Sequence, residues 1–339
     1  MSSGDEILLV YRRWSSFIEI DRDLLARHWP VTVLGVQASA SSLARVARAA
    51  ARARLVFGWF AGWHTAAPLA AATALRRPSV LVVGGLDVAS LPEIGYGAQS
   101  GGPRRLASRW AMARATRLMT NSHYSRREVE ENVGIPPDRV TVVHHGIPDP
   151  HGDPPAGRRE PLAVTVGVVE RRNLERKGLR AFVAAAAHLS DVRWVVIGPH
   201  EGDAAEELRA IAGYNVLLTG WLPDAERDRW LSRAGAYVQA SRHEGFGMSV
   251  AEAMLAGAMP VVTGAGALPE VVGDAGEILP DASPAAIAAG VERALGASEE
   301  LRRRARERVL REFSLDQRER GLVAVVEQAM RVRSGQPRH

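Results

Sequence analysis

Cysteine is absent from the 339 residues, and lysine occurs once, at Lys177, among 43 basic side chains. The first absence excludes disulfide scaffolds, thiolate zinc sites and cysteine nucleophiles, and it fits a reducing compartment such as the cytoplasm. The second means that positive charge is carried almost wholly by arginine. Long apolar runs are scarce too: the longest uncharged stretch, Leu55 to Leu75, is interrupted by Gly58, Gly62, His64 and Pro68. It reads as a strand, a loop and an alanine-rich helix rather than as a membrane span. The opening MSSGDEILLVYRRW places acids before a short apolar run, which is not the pattern of a secretory leader. No GxxxxGK(S/T), GxSxG or HExxH occurs. Gly264-Ala265-Gly266 starts like a dinucleotide fingerprint, but Pro269 stands at its third glycine.

What is present is an ordinary globular composition, 46% hydrophobic and 24% charged, over a length that predicts two domains. Short apolar β-type runs alternate with Ala/Leu/Arg-rich helical stretches, the pattern of parallel sheets with crossover helices. One such series runs from ILLVY (7–11) to VTVVHHG (140–146), and a second from LAVTVGVV (162–169) to GEILP (276–280). Between them lies the proline-rich PDPHGDPPAGRREP (148–161). This predicts an α/β protein with domains at 1–157 and 158–312, and a last helix within 313–339 that crosses back to the first domain. Ligands of open α/β sheets sit at strand carboxyl ends, so two facing domains predict a cleft. The net charge of +5 is uneven: residues 41–127 carry 13 Arg against only Asp87 and Glu93. Such a local basic face points to an acceptor or an anionic membrane rather than to nucleic acid.

The densest chemical signal is Ser241-Arg242-His243-Glu244-Gly245-Phe246-Gly247-Met248, followed by a helix that carries Glu252. A strand, a glycine-bearing loop and a helix N-terminus in that order suit a diphosphate. This string resembles the E-x7-E motif of the family 4 retaining glycosyltransferases, which have the GT-B fold of two Rossmann-like domains. NVLLTGWLPDAERDRWLSRAGAYVQAS (215–241) and PVVTGAGALPEVVGDAGEIL (260–279) resemble the same family's flanking segments. In the first half VVGGLDVASLPEIGYG (82–97) and TNSHYSRREV (120–129) do so less closely.

The resemblance implies a metal-independent transfer, without a bound cofactor, of a hexose from UDP- or GDP-hexose to a glycan or lipid-linked hydroxyl acceptor. It places Glu244 beside the donor sugar, the backbone of Gly245, Phe246, Gly247 and Met248 on sugar and phosphate, and Glu252 on the ribose. Trp221 and Leu222 would border the base. The lone Lys177, in an R-K-G string at a strand-to-helix loop, would neutralise the leaving diphosphate, because a compact ammonium is not interchangeable with a guanidinium. Its arginine partner is Arg171, Arg172 or Arg176, with Arg172 favoured as catalytic and Arg176 as donor-binding.

On the acceptor side, His64 and Asp87 follow strands, and Trp14 is a candidate stacking platform. For His64 and Asp87 a cap or loop anchor is an equal reading. The family's Gly-Gly pair after the first strand is missing. Tyr11-Arg12-Arg13-Trp14-Ser15 stands in its place, with Arg12, Arg13 or Ser15 as substitutes. The segment 103–117 reads as a cationic helix with two alternatives, a face that presents Arg105, Arg109 and Trp110 to anionic lipid or, the preferred one, a solvated face in an arginine-biased chain. Two other classes fit the same features less well: a GT-B sugar-nucleotide epimerase, and a non-catalytic polyanion-binding protein.

Overall fold

A computed structural model describes residues 6–152 and 159–333. The chain divides into two compact units, one of residues 1–146 with 315–339 and the other of residues 147–314.

The first unit is built from β1 (Ile7–Tyr11), α1 (Ser16–Ala26), β2 (Val31–Gly35), α2 (Ala40–Arg52), β3 (Leu55–Trp59) and α3 (Trp63–Ala74). These are followed by β4 (Ser79–Val83), α4 (Gly102–Arg114), β5 (Arg117–Thr120), α5 (His123–Glu128) and β6 (Val140–Val142). Its six strands form one parallel sheet in the order β2-β1-β3-β4-β5-β6. The unbroken apolar run of β1 follows from burial on both faces. Ile7 and Leu9 pack with Leu24 and Leu25 of α1, while Leu8 and Val10 pack with Val46 and Ala72 on the other side. The uncharged stretch from Leu55 resolves into β3 and α3. The helix begins at Trp63, earlier than alanine content suggests, and includes Pro68. No helix among the described residues is long and apolar enough to cross a membrane.

The second unit repeats the scheme with β7 (Glu160–Val166), α6 (Arg171–Arg176), α7 (Leu179–Ala185), β8 (Arg193–Ile197), α8 (Ala204–Ile211), β9 (Val216–Gly220) and α9 (Asp224–Arg233). Then come β10 (Ala234–Gln239), α10 (Met248–Leu255), β11 (Met259–Thr263), α11 (Leu268–Val272), β12 (Glu277–Leu279), α12 (Pro284–Leu295) and α13 (Glu299–Glu312). Its parallel sheet has the order β12-β11-β10-β7-β8-β9. Both chain halves are therefore Rossmann-like. The last helix, α14 (Leu315–Arg333), belongs to the first unit, where Leu322, Val326 and Ala329 join Ile7 and Phe57 in one cluster.

The second unit begins at Ile147, ahead of the proline-rich run. The expected boundary at 157/158 lies outside the described residues. What ties the start of that run to the second unit is Asp149, whose carboxylate pairs with Arg306 of α13. Burial raises the Asp149 carboxyl, but the Arg306 hydrogen bonds and charge outweigh it and hold the group below its ordinary value. On α4 the expected lipid-facing trio is not on one face. Arg109 turns inward to Gln99 Oε1 at 3.0 Å and to the Asn132 carbonyl.

Candidate active site

In the second unit the loops at the carboxyl ends of β7 and β10 meet. The turn between α6 and α7 lies directly on the strand end of β10: the N–H of Arg242 donates to the Arg176 carbonyl at 2.8 Å. Contact is so close that a Cβ on Gly178 would stand 2.2 Å from the Ala240 carbonyl oxygen, and its φ of +67° is left-handed, so only glycine fits. That turn carries Lys177 to Glu244. The Nζ lies 3.6 Å from Glu244 Oε2, with each side chain 18% exposed. The lysine stem passes over Gly167, where a Cβ would come 3.0 Å from Lys177 Cδ.

Glu244 is fixed from several directions. Its carbonyl accepts from the Ala267 N–H at 2.9 Å, and Gln239 Nε2 donates to its Oε2 at 3.4 Å. Burial raises the Glu244 carboxyl, but Lys177, Arg176 and His243 pull it below the ordinary glutamate value. It is therefore a carboxylate held among cations. Gln239, at the end of an apolar strand, is 2% exposed and also donates to Ser241 Oγ at 2.7 Å while accepting from Tyr237 Oη at 3.0 Å. Sequence reading missed this buried relay. Its one visible signal was an amide inside AYVQAS.

The three candidate arginines separate cleanly. Arg171 pairs with Asp203 and Arg172 donates to Glu170 Oε1 at 2.8 Å, both at the surface. Arg176 instead lies beside the site. Its Nε and Nη2 donate to Asn173 Oδ1 at 3.1 and 2.8 Å, and its Nη1 to the His243 carbonyl at 3.5 Å. Asn173 in turn donates to the Val168 carbonyl at 2.9 Å, so the short α6 acts as a bracket for Arg176. Of the three, Arg176 is the one whose contacts reach the Glu244 loop.

Gly247 precedes α10, and the Phe246 ring is 3% exposed, edge-on to Phe313 at 5.2 Å. Sinking that ring into the core anchors the loop from Gly245 to Met248 at the helix start. Glu252, one to two turns into α10, is half-buried. Burial raises its carboxyl, with Arg227 and Lys177 opposing and Asp228 and Asp224 adding to the rise. Trp221, just past β9, is 68% exposed, and Leu222 beside it packs partly on the core.

The acceptor-side candidates all fall in the first unit. His64 is 6% exposed, with its Nε2 hydrogen-bonded to the Trp59 carbonyl at 2.9 Å. Asp87 accepts from the Ala61 N–H at 2.8 Å and the Gly84 N–H at 2.9 Å, joining the loops after β3 and β4. Both residues are thus loop anchors. Trp14 is 41% exposed, edge-on to Tyr11, with the Arg22 guanidinium 5.5 Å from its ring. Of the proposed glycine substitutes, Ser15 has its Oγ buried without a partner and Arg12 lies over Trp63.

Asp87 gives a testable pH signature. Burial pushes its carboxyl up to about 7, against the pull of its two N–H donors. A folded value above the unfolded one means that folding retains a proton, so stability declines as pH rises from about 4 to about 7. In that window Asp87→Asn is expected to remove up to ~1.4 kcal/mol of slope per pH unit from denaturation midpoints. An unchanged slope would show that Asp87 is ionised throughout.

Two family models divide the chain between them. Glycosyltransferase Family 4 matches residues 2–149 and Glycosyl transferases group 1 matches residues 160–297. The chain belongs to the family 4-type glycosyltransferases. This glycosyltransferase is 29% identical over 225 residues to the MMP α-(1→4)-mannosyltransferase of Mycolicibacterium hassiacum, covering 63% of this chain and 54% of the relative. It is 28% identical over 182 residues to the 2-deoxystreptamine glucosyltransferase of Streptomyces kanamyceticus, covering 49% and 47%. The chain spans about half the length of the curated relatives it matches. Among solved structures, Anabaena HepE in complex with UDP and glucose superposes with a TM-score of 0.77 at 17% identity, over 96% of this chain and all of that one. Sucrose-phosphate synthase of Thermosynechococcus elongatus gives 0.78 at 16%, over 97% of this chain and all of that one. The glycosyltransferase therefore has the GT-B fold.

Proposed function

We propose that this glycosyltransferase moves a hexose from a nucleoside diphosphate sugar to a hydroxyl acceptor, a glycan or a lipid-linked sugar, with retention at the anomeric carbon. The observation that carries the reading is the convergence of two segments, the Arg176–Lys177 turn and the Glu244 loop that opens α10. In this reading Lys177 and Arg176 face the diphosphate, joined by the N-terminal end of α10. The C1–O bond to the phosphate breaks, the acceptor oxygen bonds to C1 on the same face, and the departing phosphate takes the acceptor proton. Stabilising the charge that develops on that phosphate is the main catalytic contribution. Glu244 holds the sugar, Glu252 the ribose, and Trp221 with Leu222 borders the base. Arg172 has no part in it. His64 and Asp87 shape the acceptor side through the loops they anchor, and Trp14 offers a ring to an acceptor sugar.

The reading is supported by the match of both family models and by the sugar transfers named for the two curated relatives. Thermal unfolding with UDP, GDP and ADP tests it. One nucleotide should stabilise the protein by about 2.7 kcal/mol at a hundredfold excess over its Kd. No stabilisation by any of the three overturns the proposal. Hydrolysis across sugars of the preferred nucleotide then identifies the hexose.

A further inference from the structure

Strand β10, AGAYVQ, is an inner strand of the second sheet and is buried along its whole length, yet its last residue is a glutamine. The neighbouring strands β7 and β8 end on Val166 and Ile197 instead. A buried amide is unfavourable unless its polar atoms are satisfied. Tyr237 and Gln239 are two residues apart in a strand and so share one face of the sheet. Tyr237 Oη donates to Gln239 Oε1 at 3.0 Å, and Gln239 Nε2 donates to Ser241 Oγ at 2.7 Å and to Glu244 Oε2 at 3.4 Å. The phenol is buried too, with further hydrogen-bond partners in the Val166 backbone and in the side chain of Ser249, in the first turn of α10. One buried chain of polar groups therefore starts beneath the helix that carries Glu252 and ends on the Glu244 carboxylate.

That chain has a single polarity. Burial opposes ionisation of Glu244, but Lys177, Arg176 and His243 outweigh it, and an ionised carboxylate only accepts hydrogen bonds. Turning the amide over would aim its oxygen at Glu244 Oε2 in place of an N–H. The NH2 group therefore belongs on the Glu244 side and the amide oxygen on the Tyr237 side. Gln239 and Lys177 engage the same carboxylate oxygen, Oε2, from different elements.

We propose that Gln239 is a positioning residue, which turns the Glu244 carboxylate so that Oε2 faces the amide and Lys177 while Oε1 accepts from a hydroxyl of the donor sugar. Tyr237 fixes the orientation of the amide, and its contact with Ser249 ties that setting to the start of α10. The inference rests on the reading of Glu244 as the residue that holds the sugar. In that reading the nucleotide is held elsewhere, by Glu252 and Trp221, so the relay serves the sugar alone.

The test uses variants of the full chain and two readouts. One is affinity for free UDP, GDP or ADP, whichever stabilises the wild type, and the other is kcat/KM for the matching sugar nucleotide across pH. Gln239→Met keeps the length of the side chain and removes both polar ends, so the fold and the melting temperature should hold. Nucleotide affinity should be unchanged, while kcat/KM falls about 10–100-fold, as a slight misplacement at the reacting centre can cost. Tyr237→Phe should give a smaller loss of the same kind. Gln239→Glu supplies the sharper signature. Protonated, the new carboxyl offers what the amide offers, an oxygen to Tyr237 and a hydrogen to Glu244; ionised, it repels Glu244. The charged and titratable groups facing the pair, Lys177, Arg176, His243 and Glu252, are the same in the wild type. Relative to wild type, turnover of Gln239→Glu should therefore be highest at acid pH and decline as the pair loses its shared proton. Full turnover in Gln239→Met, a parallel loss of nucleotide affinity, or a Gln239→Glu ratio that does not change with pH overturns the proposal. A wild type that binds none of the three nucleotides overturns the donor-site reading and this inference with it. Normal nucleotide binding with full turnover in Gln239→Met overturns this inference alone.

Discussion

Lys177→Ala should lower kcat about 10²–10³-fold, the usual effect of removing one preorganised stabiliser of transition-state charge, while the melting temperature changes little. The ammonium lies at the end of a stem that crosses Gly167 and stops 3.6 Å from Glu244. The stem lies on Gly167 and joins none of the apolar clusters, so its loss is felt in chemistry more than in folding. Lys177→Arg is expected to recover little of the rate. The stem is already hemmed in over Gly167, and a planar guanidinium is longer and presents its charge differently. A second readout separates a site role from a merely local one. Lys177 is the foremost of the charges that hold the Glu244 carboxyl below its ordinary value. Without it that carboxyl rises, so the acid limb of the pH–rate profile should move to higher pH. Turnover within tenfold of wild type and an unmoved acid limb would place the chemistry elsewhere.

How much of this could be read from sequence depended on where each residue finds its partners. The strands were legible because burial on both faces demands continuous apolar runs such as ILLVY (7–11) and SVLVV (79–83). The loop from Glu244 to Met248 was legible because its glycines and helix start are contiguous in the chain. The choice among Arg171, Arg172 and Arg176 was not, since α6 is six polar-rich residues, RRNLER, without apolar periodicity, and the direction of Arg176 is set by Asn173 and by a carbonyl 67 residues away. His64 and Asp87 were equally ambiguous: the groups that satisfy Asp87 are backbone N–H groups on two loops. The proline-rich run looked like a free linker because the tie between Asp149 and Arg306 joins residues 157 apart. Such long-range contacts leave no local pattern.

Arg318→Met should destabilise the first unit by about 3–5 kcal/mol, the cost of leaving a buried charge without its partner. Arg318, near the start of α14, and Asp21 of α1 have side chains 0% and 1% exposed. Their contact is a two-pronged fork, Nε to Oδ1 at 2.8 Å and Nη2 to Oδ2 at 2.7 Å. The remaining nitrogen donates to the Val143 carbonyl at 2.6 Å and to Asn121 Oδ1 at 3.1 Å. One guanidinium therefore gathers α14, α1, the end of β5 and the segment after β6. Desolvation already raises the Asp21 carboxyl despite Arg318 beside it. Once the arginine is gone, folding retains a proton on Asp21 over a wider range, so the variant should be least impaired at acid pH and lose stability as pH rises. The double variant Asp21→Leu/Arg318→Met should regain most of the loss, because replacing both members of a buried pair by apolar groups removes the desolvation penalty together with the attraction. Urea denaturation followed by tryptophan fluorescence reads this directly, since Arg318 lies 5.8 Å from the buried Trp59 ring. A loss below about 1 kcal/mol, the range of exposed pairs, would mean that the helix is held by Leu322, Val325 and Val326 alone.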